Sequence, residues 1–208
     1  MRRVGQSTVI QRVAATVLPT RWGFFHTIGY ERGLSERDGG TETAIALILG
    51  DPNSGVPLLR IHSQCLTGEV LRSLRCDCGA QLELAMGRIS EEGCGILIYE
   101  HQEGRGIGLI AKLRAYALQD QGLDTITANH ALGFKADYRD FSFAVGILRD
   151  LGIGRVRLLS NNPAKTHALV RARIEVVAQL PCEPALNPHA LHYLRSKKEK
   201  MGHTLTLV

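Results

Sequence analysis

Apolar residues in this chain come in short bursts, set apart by polar turns rich in glycine, and the spacing inside each burst predicts the element it forms. Strands are expected at Phe24–Tyr30, Ala44–Gly50, Val56–His62, Gly95–Tyr99, Val156–Leu159 and Ile174–Leu180. Between them, Gly33 to Thr41 reads as a loop and Asp51-Pro52-Asn53-Ser54-Gly55 as a turn. The run Gly95-Ile-Leu-Ile-Tyr99 has no polar position, as in a central strand buried on both faces. Helical spacing appears over Gly79–Glu91, closed by Gly93, over Leu109–Gln119 and over Asp140–Leu151. A short helix is expected from an N-cap at Thr67 to Leu74, with Glu69 in its first turn. Asn162-Pro163 reads as the cap and first position of another, and His189 to Met201 as a lysine-rich tail helix. The first twenty residues are mixed and basic, residues 1–11 are expected to be flexible, and Pro19 and Gly23 bracket a turn that opens the folded region. Strands alternating with helices predict an α/β fold, a mixed β-sheet flanked by helices, in one domain spanning residues 1–208.

Composition narrows the partners. With 208 residues and 44% hydrophobic content the chain can bury one substantial core. No apolar run is long enough to span a bilayer and the N-terminus has no signal-peptide core, so a soluble, cytoplasmic protein without a membrane partner is expected. A net charge of +5 suits a polyanion. Aromatics are only 5% and do not interleave with basic residues, which disfavours a base-stacking platform for nucleic acid and favours a small phosphorylated substrate.

The candidate chemistry begins at Cys65, Cys76 and Cys78, three cysteines within fourteen residues. Three ligands with an open fourth position describe a hydrolytic zinc site, whereas a structural one is closed by four. His62, three residues before Cys65, keeps the closed alternative open. A disulfide plus a free thiol, or three small buried hydrophobes, are the other readings. Glu103-Gly104-Arg105-Gly106-Ile107-Gly108 joins a buried strand to a helix, where backbone amides and Arg105 can meet a phosphate; it matches neither the full dinucleotide fingerprint nor a P-loop. Arg60, Arg75, Arg139 and Lys165 together would neutralise a triphosphate. Asp137 and Arg139 form a carboxylate–guanidinium pair two residues apart, and Cys94 and Cys182 read as ordinary thiols.

These blocks resemble GTP cyclohydrolase II, the zinc enzyme that opens riboflavin biosynthesis. The resemblance is carried in order by Arg60-Ile-His-Ser-Gln-Cys65-Leu-Thr-Gly, Ser73-Leu-Arg-Cys76-Asp-Cys78-Gly, Gln102-Glu-Gly-Arg-Gly-Ile-Gly108, Arg114-Ala-Tyr-Ala-Leu-Gln-Asp120, Ala128-Asn-His130, Asn161-Asn-Pro163 and Lys200-Met-Gly-His203. It covers roughly residues 12 to 203. It implies one zinc ion on Cys65, Cys76 and Cys78, whose open position holds the water that attacks C8 of guanine, that carbon leaving as formate. It implies a GTP site lined by Arg60, Ile61, His62, Ser63, Gln64, Gln81, Glu103, Gly104, Arg105, Thr125, Ser160 and Lys165, with magnesium on the triphosphate. Asp137 would accept a proton. Arg139 stands where the family assigns a nucleophile toward the α-phosphate, although a guanidinium is better suited to stabilising charge there. Tyr116 matches the tyrosine of members that release the full deformylated product; a formamide-retaining variant is the alternative. The resemblance further implies a homodimer, and a chain without the second domain that many members carry.

The chain departs from the family pattern in three places: Gln64 replaces a usual Glu, Ser160 a usual Thr, and Glu100-His101 an otherwise different pair. Two rivals remain from the sequence, a basic zinc-stabilised nucleic-acid-binding protein and a relative that runs the same ring opening for a specialised metabolite.

Overall fold

The structure, a computed structural model, describes residues 9–33 and 40–208. Seven strands, β1 Ile10–Thr20, β2 Gly23–Gly33, β3 Thr41–Leu49, β4 Leu58–Ser63, β5 Gly95–Glu100, β6 Arg155–Leu159 and β7 Glu175–Leu180, form one sheet in the order β1-β2-β3-β5-β4-β6-β7. The half built from β1, β2, β3 and β5 is antiparallel, and β5, β4, β6 and β7 run parallel. The expected mixed sheet is present. The helices are α1 Leu66–Glu69, α2 Cys78–Glu92, α3 Leu109–Asp120, α4 Thr125–Ala131, α5 Ser142–Asp150, α6 Pro163–Arg171 and α7 Leu191–Met201, with 3₁₀ turns at Glu103–Gly106 and Pro188–Ala190.

The period of two along β5 explains its unbroken apolar run. Ile96 and Ile98 face a core with Ile28, Tyr30, Ile61, Phe143 and Ile147 on the α5 side, while Leu97 faces the other, with Phe25, Leu58, Met86 and Ile89 on the α2 side. Glycine at Gly95 is enforced, because a Cβ there would lie 2.8 Å from the Leu58 carbonyl oxygen. Since β4, β5 and β6 are parallel, their C-terminal ends open on one edge of the sheet and deliver Ser63 and the segments after Glu100 and Leu159 to a common crevice, where α/β sheets bind ligands.

Several boundaries differ from the sequence expectation. Residues 10–20 form β1 instead of an irregular entry; nearly every residue of β1 is exposed, so no hydrophobic alternation marks it. Of the expected flexible segment 1–11, residues 1–8 lie outside the described residues and Ile10 and Gln11 already belong to β1. Positions 34–39 of the expected loop also lie outside them. The helix expected from Thr67 to Leu74 is a single turn, Leu66–Glu69, capped by the backbone of Cys65; the positive φ of Arg72 turns the chain away to bring Cys76 back. Helix α4 was not expected, although Asp124 caps it by accepting from the amides of Ile126 and Thr127.

Candidate active site

The crevice is walled by strand ends, the α1–α2 loop, the 3₁₀ turn at Glu103–Gly106, α3, α4 and the C-terminal segment. At its floor the three sulfurs of Cys65, Cys76 and Cys78 lie within 4.8 Å of one another. Cys65 and Cys76 stand 3.7 Å apart, against about 3.8 Å for the edge of a sulfur tetrahedron with metal–sulfur distances of about 2.3 Å. The backbone is shaped around them: a Cβ on Gly68 would sit 2.8 Å from the Cys76 sulfur, and one on Gly79 would sit 2.4 Å from the Gly68 carbonyl oxygen. All five cysteines are free thiols, so the disulfide alternative falls. His62 is turned to other partners: Nε2 meets Glu69 at 2.9 Å and Nδ1 faces Arg60 at 3.4 Å. Burial holds it neutral, with its pKa lowered to about 4. Among the described residues the group able to hold a metal is therefore the three cysteines, with a side open to the crevice.

Around the sulfurs runs a layer of bonded side chains in which Lys112, Asp77, Tyr99 and Lys197 join residues the sequence had singled out. Lys112 of α3 donates to Cys65 Sγ at 3.1 Å and to Glu103 Oε1 at 2.8 Å. The other oxygen of Glu103 accepts the Leu66 amide at 2.7 Å, so this carboxylate clamps the cysteine loop. Hydrogen bonds from Cys76 and Cys78, with the Lys112 charge, push the Cys65 thiol toward thiolate. On the far side Lys197 of α7 forms a buried pair with Asp77 at 2.8 Å, and Asp77 accepts from Gln81 Nε2 at 2.6 Å. Gln81 Oε1 in turn accepts from Arg60 at 2.7 Å. Tyr99 donates to Glu69 at 2.5 Å and stacks on His62, completing a bonded path from the sheet to the cysteine loop. Apart from Gln81 and Asp77, which are four residues apart, periodicity could not reveal these contacts, since their partners lie more than one helical turn apart in sequence.

The crevice is also lined by cations, with Arg60, Arg105, Arg139 and Lys165 all facing it. Gly104 and Arg105 both take the left-handed conformation, at φ 62°, which for an arginine costs roughly 1 kcal/mol or more. Both terminal nitrogens of the Arg105 guanidinium are buried without a partner. Arg139 is locked to Asp137, which takes its Nε at 3.0 Å and NH2 at 2.6 Å. Burial alone would raise Asp137, but the Arg139 bonds and charge outweigh it and keep the carboxylate ionised. Lys165 donates to the Ile61 carbonyl at 2.7 Å.

Most of the predicted site residues therefore meet in one place: Arg60, His62, Ser63, Gln64, Gln81, Glu103, Gly104, Arg105, Tyr116, Thr125, Arg139, Ser160, Lys165 and the three cysteines all line the crevice. Ile61 does not; its side chain belongs to the core and only its carbonyl reaches Lys165. Asp137 stands behind Arg139. Arg75 points outward to pair with Asp120, with its guanidinium over the Tyr116 ring, and takes no part in the cationic wall. Gln102, Lys112, Asn129, Asn161, Tyr193, Lys197 and His203 line the crevice without having been foreseen.

A family model described as GTP cyclohydrolase II matches residues 11–181, well over half the chain. The chain belongs to the GTP cyclohydrolase II family. It is 52% identical over 197 residues, 94% of this chain and 98% of the relative, to proteins named GTP cyclohydrolase-2 from Escherichia coli O9:H4 and from Shigella boydii serotype 18. Among solved structures, a two-domain 3,4-dihydroxy-2-butanone 4-phosphate synthase from A. baumannii matches at TM-score 0.44 and 19% identity, over 74% of this chain and 35% of that one. The family match makes the protein a hydrolase. No helix among the described residues is long and apolar enough to cross a membrane.

Proposed function

We propose that this member of the GTP cyclohydrolase II family is a zinc enzyme that hydrolyses GTP to 2,5-diamino-6-hydroxy-4-(5-phosphoribosylamino)pyrimidine, formate and diphosphate, the first step of riboflavin biosynthesis. It acts as one domain and a homodimer in the cytoplasm. The observation that carries the reading is that three convergent sulfurs and the two unpartnered nitrogens of Arg105 face the same crevice. The sulfurs suit a soft divalent metal and the guanidinium a polyphosphate.

Cys65, Cys76 and Cys78 would hold zinc, which supplies Lewis acidity and lowers the pKa of a water at its open position. The polypeptide does the rest. Arg105 and Lys165 take the phosphates with magnesium, and Arg139 stabilises charge at the α-phosphate as diphosphate departs. Asp137 fixes the Arg139 plane, and its role as proton acceptor requires one oxygen to leave the guanidinium. Gln81 has spent one N–H on Asp77 and one lone pair on Arg60, so a second N–H and a second lone pair remain for the guanine edge. Ser63, Gln64, Thr125 and Ser160 complete the lining. Tyr116 lies between the Arg75 and Lys112 cations on the metal side, and burial keeps its phenol protonated, as a donor, up to about pH 12. That placement favours carrying the formamide through to formate.

The test is incubation of zinc-loaded protein with GTP and magnesium, following formate, diphosphate and the pyrimidine together. Formate and diphosphate appearing together, with formate lost in Cys76→Ser, is the expected result. Diphosphate with a stable formylated pyrimidine would replace this reading with the formamide-retaining one, and no product at all would overturn it.

A further inference from the structure

Lys112, one turn into α3, buries an ammonium group against the cysteine loop, with only 9% of the residue exposed. Room for its stem comes from the 3₁₀ turn. Gly104, left-handed at φ 62°, stands where a Cβ would lie 3.2 Å from Lys112 Cβ. The Lys112 nitrogen donates to two acceptors, Glu103 Oε1 at 2.8 Å and Cys65 Sγ at 3.1 Å, and the Tyr116 ring, one turn further along α3, lies 5.7 Å away. Glu103 is fixed in turn by two backbone amides: Oε1 also accepts from Gly104 at 2.9 Å, and Oε2 accepts from Leu66 at 2.7 Å. The ammonium therefore has its counter-charge in Glu103, and the bond to sulfur goes beyond what its burial requires.

The three cysteines are not equivalent. Cys65 Sγ has Lys112 at 3.1 Å and the Thr67 hydroxyl at 3.6 Å. Among the described residues no charged side chain bonds the sulfur of Cys76 or Cys78; Lys197, on that side, donates to Asp77 instead. Three thiolates around a divalent cation outweigh its charge, and each gives it electron density. An N–H donor on a ligating sulfur draws part of that density back, and a donor that is itself held by partners also fixes where the sulfur stands.

We propose that Lys112 is a positioning residue for the metal, holding the Cys65 sulfur in place and drawing charge from it, so that a divalent ion on the three cysteines keeps its Lewis acidity. Glu103 supplies the counter-charge and ties this bond to the turn that carries Arg105. This rests on the reading of Cys65, Cys76 and Cys78 as metal ligands.

The test is reconstitution of the full chain with cobalt(II), followed by its sulfur-to-metal charge-transfer absorption, for the wild type, Lys112→Met, Glu103→Gln and the double variant, with zinc affinity read by competition against a chromophoric chelator. A sulfur relieved of its N–H donor gives up an electron more easily, so Lys112→Met should absorb at longer wavelength than the wild type and bind zinc about 10- to 100-fold more weakly. Glu103→Gln keeps the bond to sulfur and should show no such move to longer wavelength. The double variant leaves no buried charge without its partner, so it tests the bond even if Lys112→Met does not fold, and it should show the same longer-wavelength band. A band and a zinc affinity unchanged in both proteins that lack Lys112 would overturn the proposal, leaving Lys112 as an ion-pair partner of Glu103. A wild type with no sulfur-to-cobalt band at all would instead remove the metal reading on which the proposal rests.

Discussion

At the scale of single residues, the site is set by atoms that leave no room for alternatives. Gly68 is the clearest case: Gly68→Ala would drive a methyl group into the Cys76 and Cys65 sulfurs, 2.8 and 3.2 Å away. Displacing two ligands should cost about 10- to 100-fold in metal affinity, read by competition with a chromophoric chelator; unchanged affinity would mean the sulfurs do not hold the metal together. Protonation gives a second handle. His62, buried and lowered to about 4, is neutral in the fold where the unfolded chain, with its ordinary 6.5, binds a proton, so it makes stability rise with pH between those values. His203, lowered to about 3, acts in the same direction. Glu100, raised from 4.5 to about 7, does the reverse, because the folded protein holds the proton that the unfolded chain has lost. Stability of the wild type should therefore climb only gently between pH 4.5 and 6.5. His62→Gln should flatten that slope and Glu100→Gln should steepen it, as measured by urea midpoints; equal slopes in all three proteins would show that neither group titrates as its burial requires.

At the scale of elements, the C-terminal helix is part of the site, although the family match ends at residue 181. Lys197 of α7 bonds Asp77 between two of the cysteines, and Tyr193 lies under both Lys197 and the Arg105 guanidinium, at 4.4 and 5.5 Å. Removing one partner of a buried pair leaves an uncompensated charge, a cost of about 3–5 kcal/mol. Lys197→Met should therefore unfold at markedly lower denaturant and bind metal less tightly, while Lys197→Met with Asp77→Asn recovers most of the stability; a Lys197→Met protein as stable as the wild type would show the pair to be idle. How much of this was readable beforehand depends on how local the cause is. Caps and periods are local, so Asn162-Pro163 opens α6 and Gly93, left-handed at φ 68°, closes α2, as their sequence positions foretold. The cysteine spacing is local too, and it marked the three-sulfur group. By contrast, β1 carries no core-facing pattern because it lies at the sheet edge, α1 is cut short by the need to fold three sulfurs together, and Lys112 and Lys197 meet Cys65 and Asp77 only through the tertiary fold. Arg75 was expected among the phosphate cations on charge alone, and its outward rotation to Asp120 could not be foreseen from charge.

At the scale of the whole molecule, the sheet is well covered on its helical side and bare at one edge. The N-terminal end of β1 is held down, with Ile10 against Gly146 of α5 and Arg12 bonded to Asp150. Toward the tip of the β1–β2 hairpin the cover ends: Val17 is 58% and Phe24 72% exposed. Val17 pairs with His26 and Pro19 with Phe24, so Val17 and Phe24 lie diagonally on one face of the ribbon. An uncovered apolar face beside an unpaired edge strand tends to recruit another chain, and a second copy offers the same strand and the same side chains about a two-fold axis. This is the surface we assign to the proposed homodimer. Charging it should separate the subunits without touching the crevice, since neither residue lines it. Val17→Lys combined with Phe24→Glu should therefore sediment at the 22.8 kDa chain mass where the wild type sediments at twice that, with the zinc content of each chain unchanged. A wild type that sediments as a single chain at every concentration would remove the dimer, and a charged variant that stays dimeric would move the interface to another face.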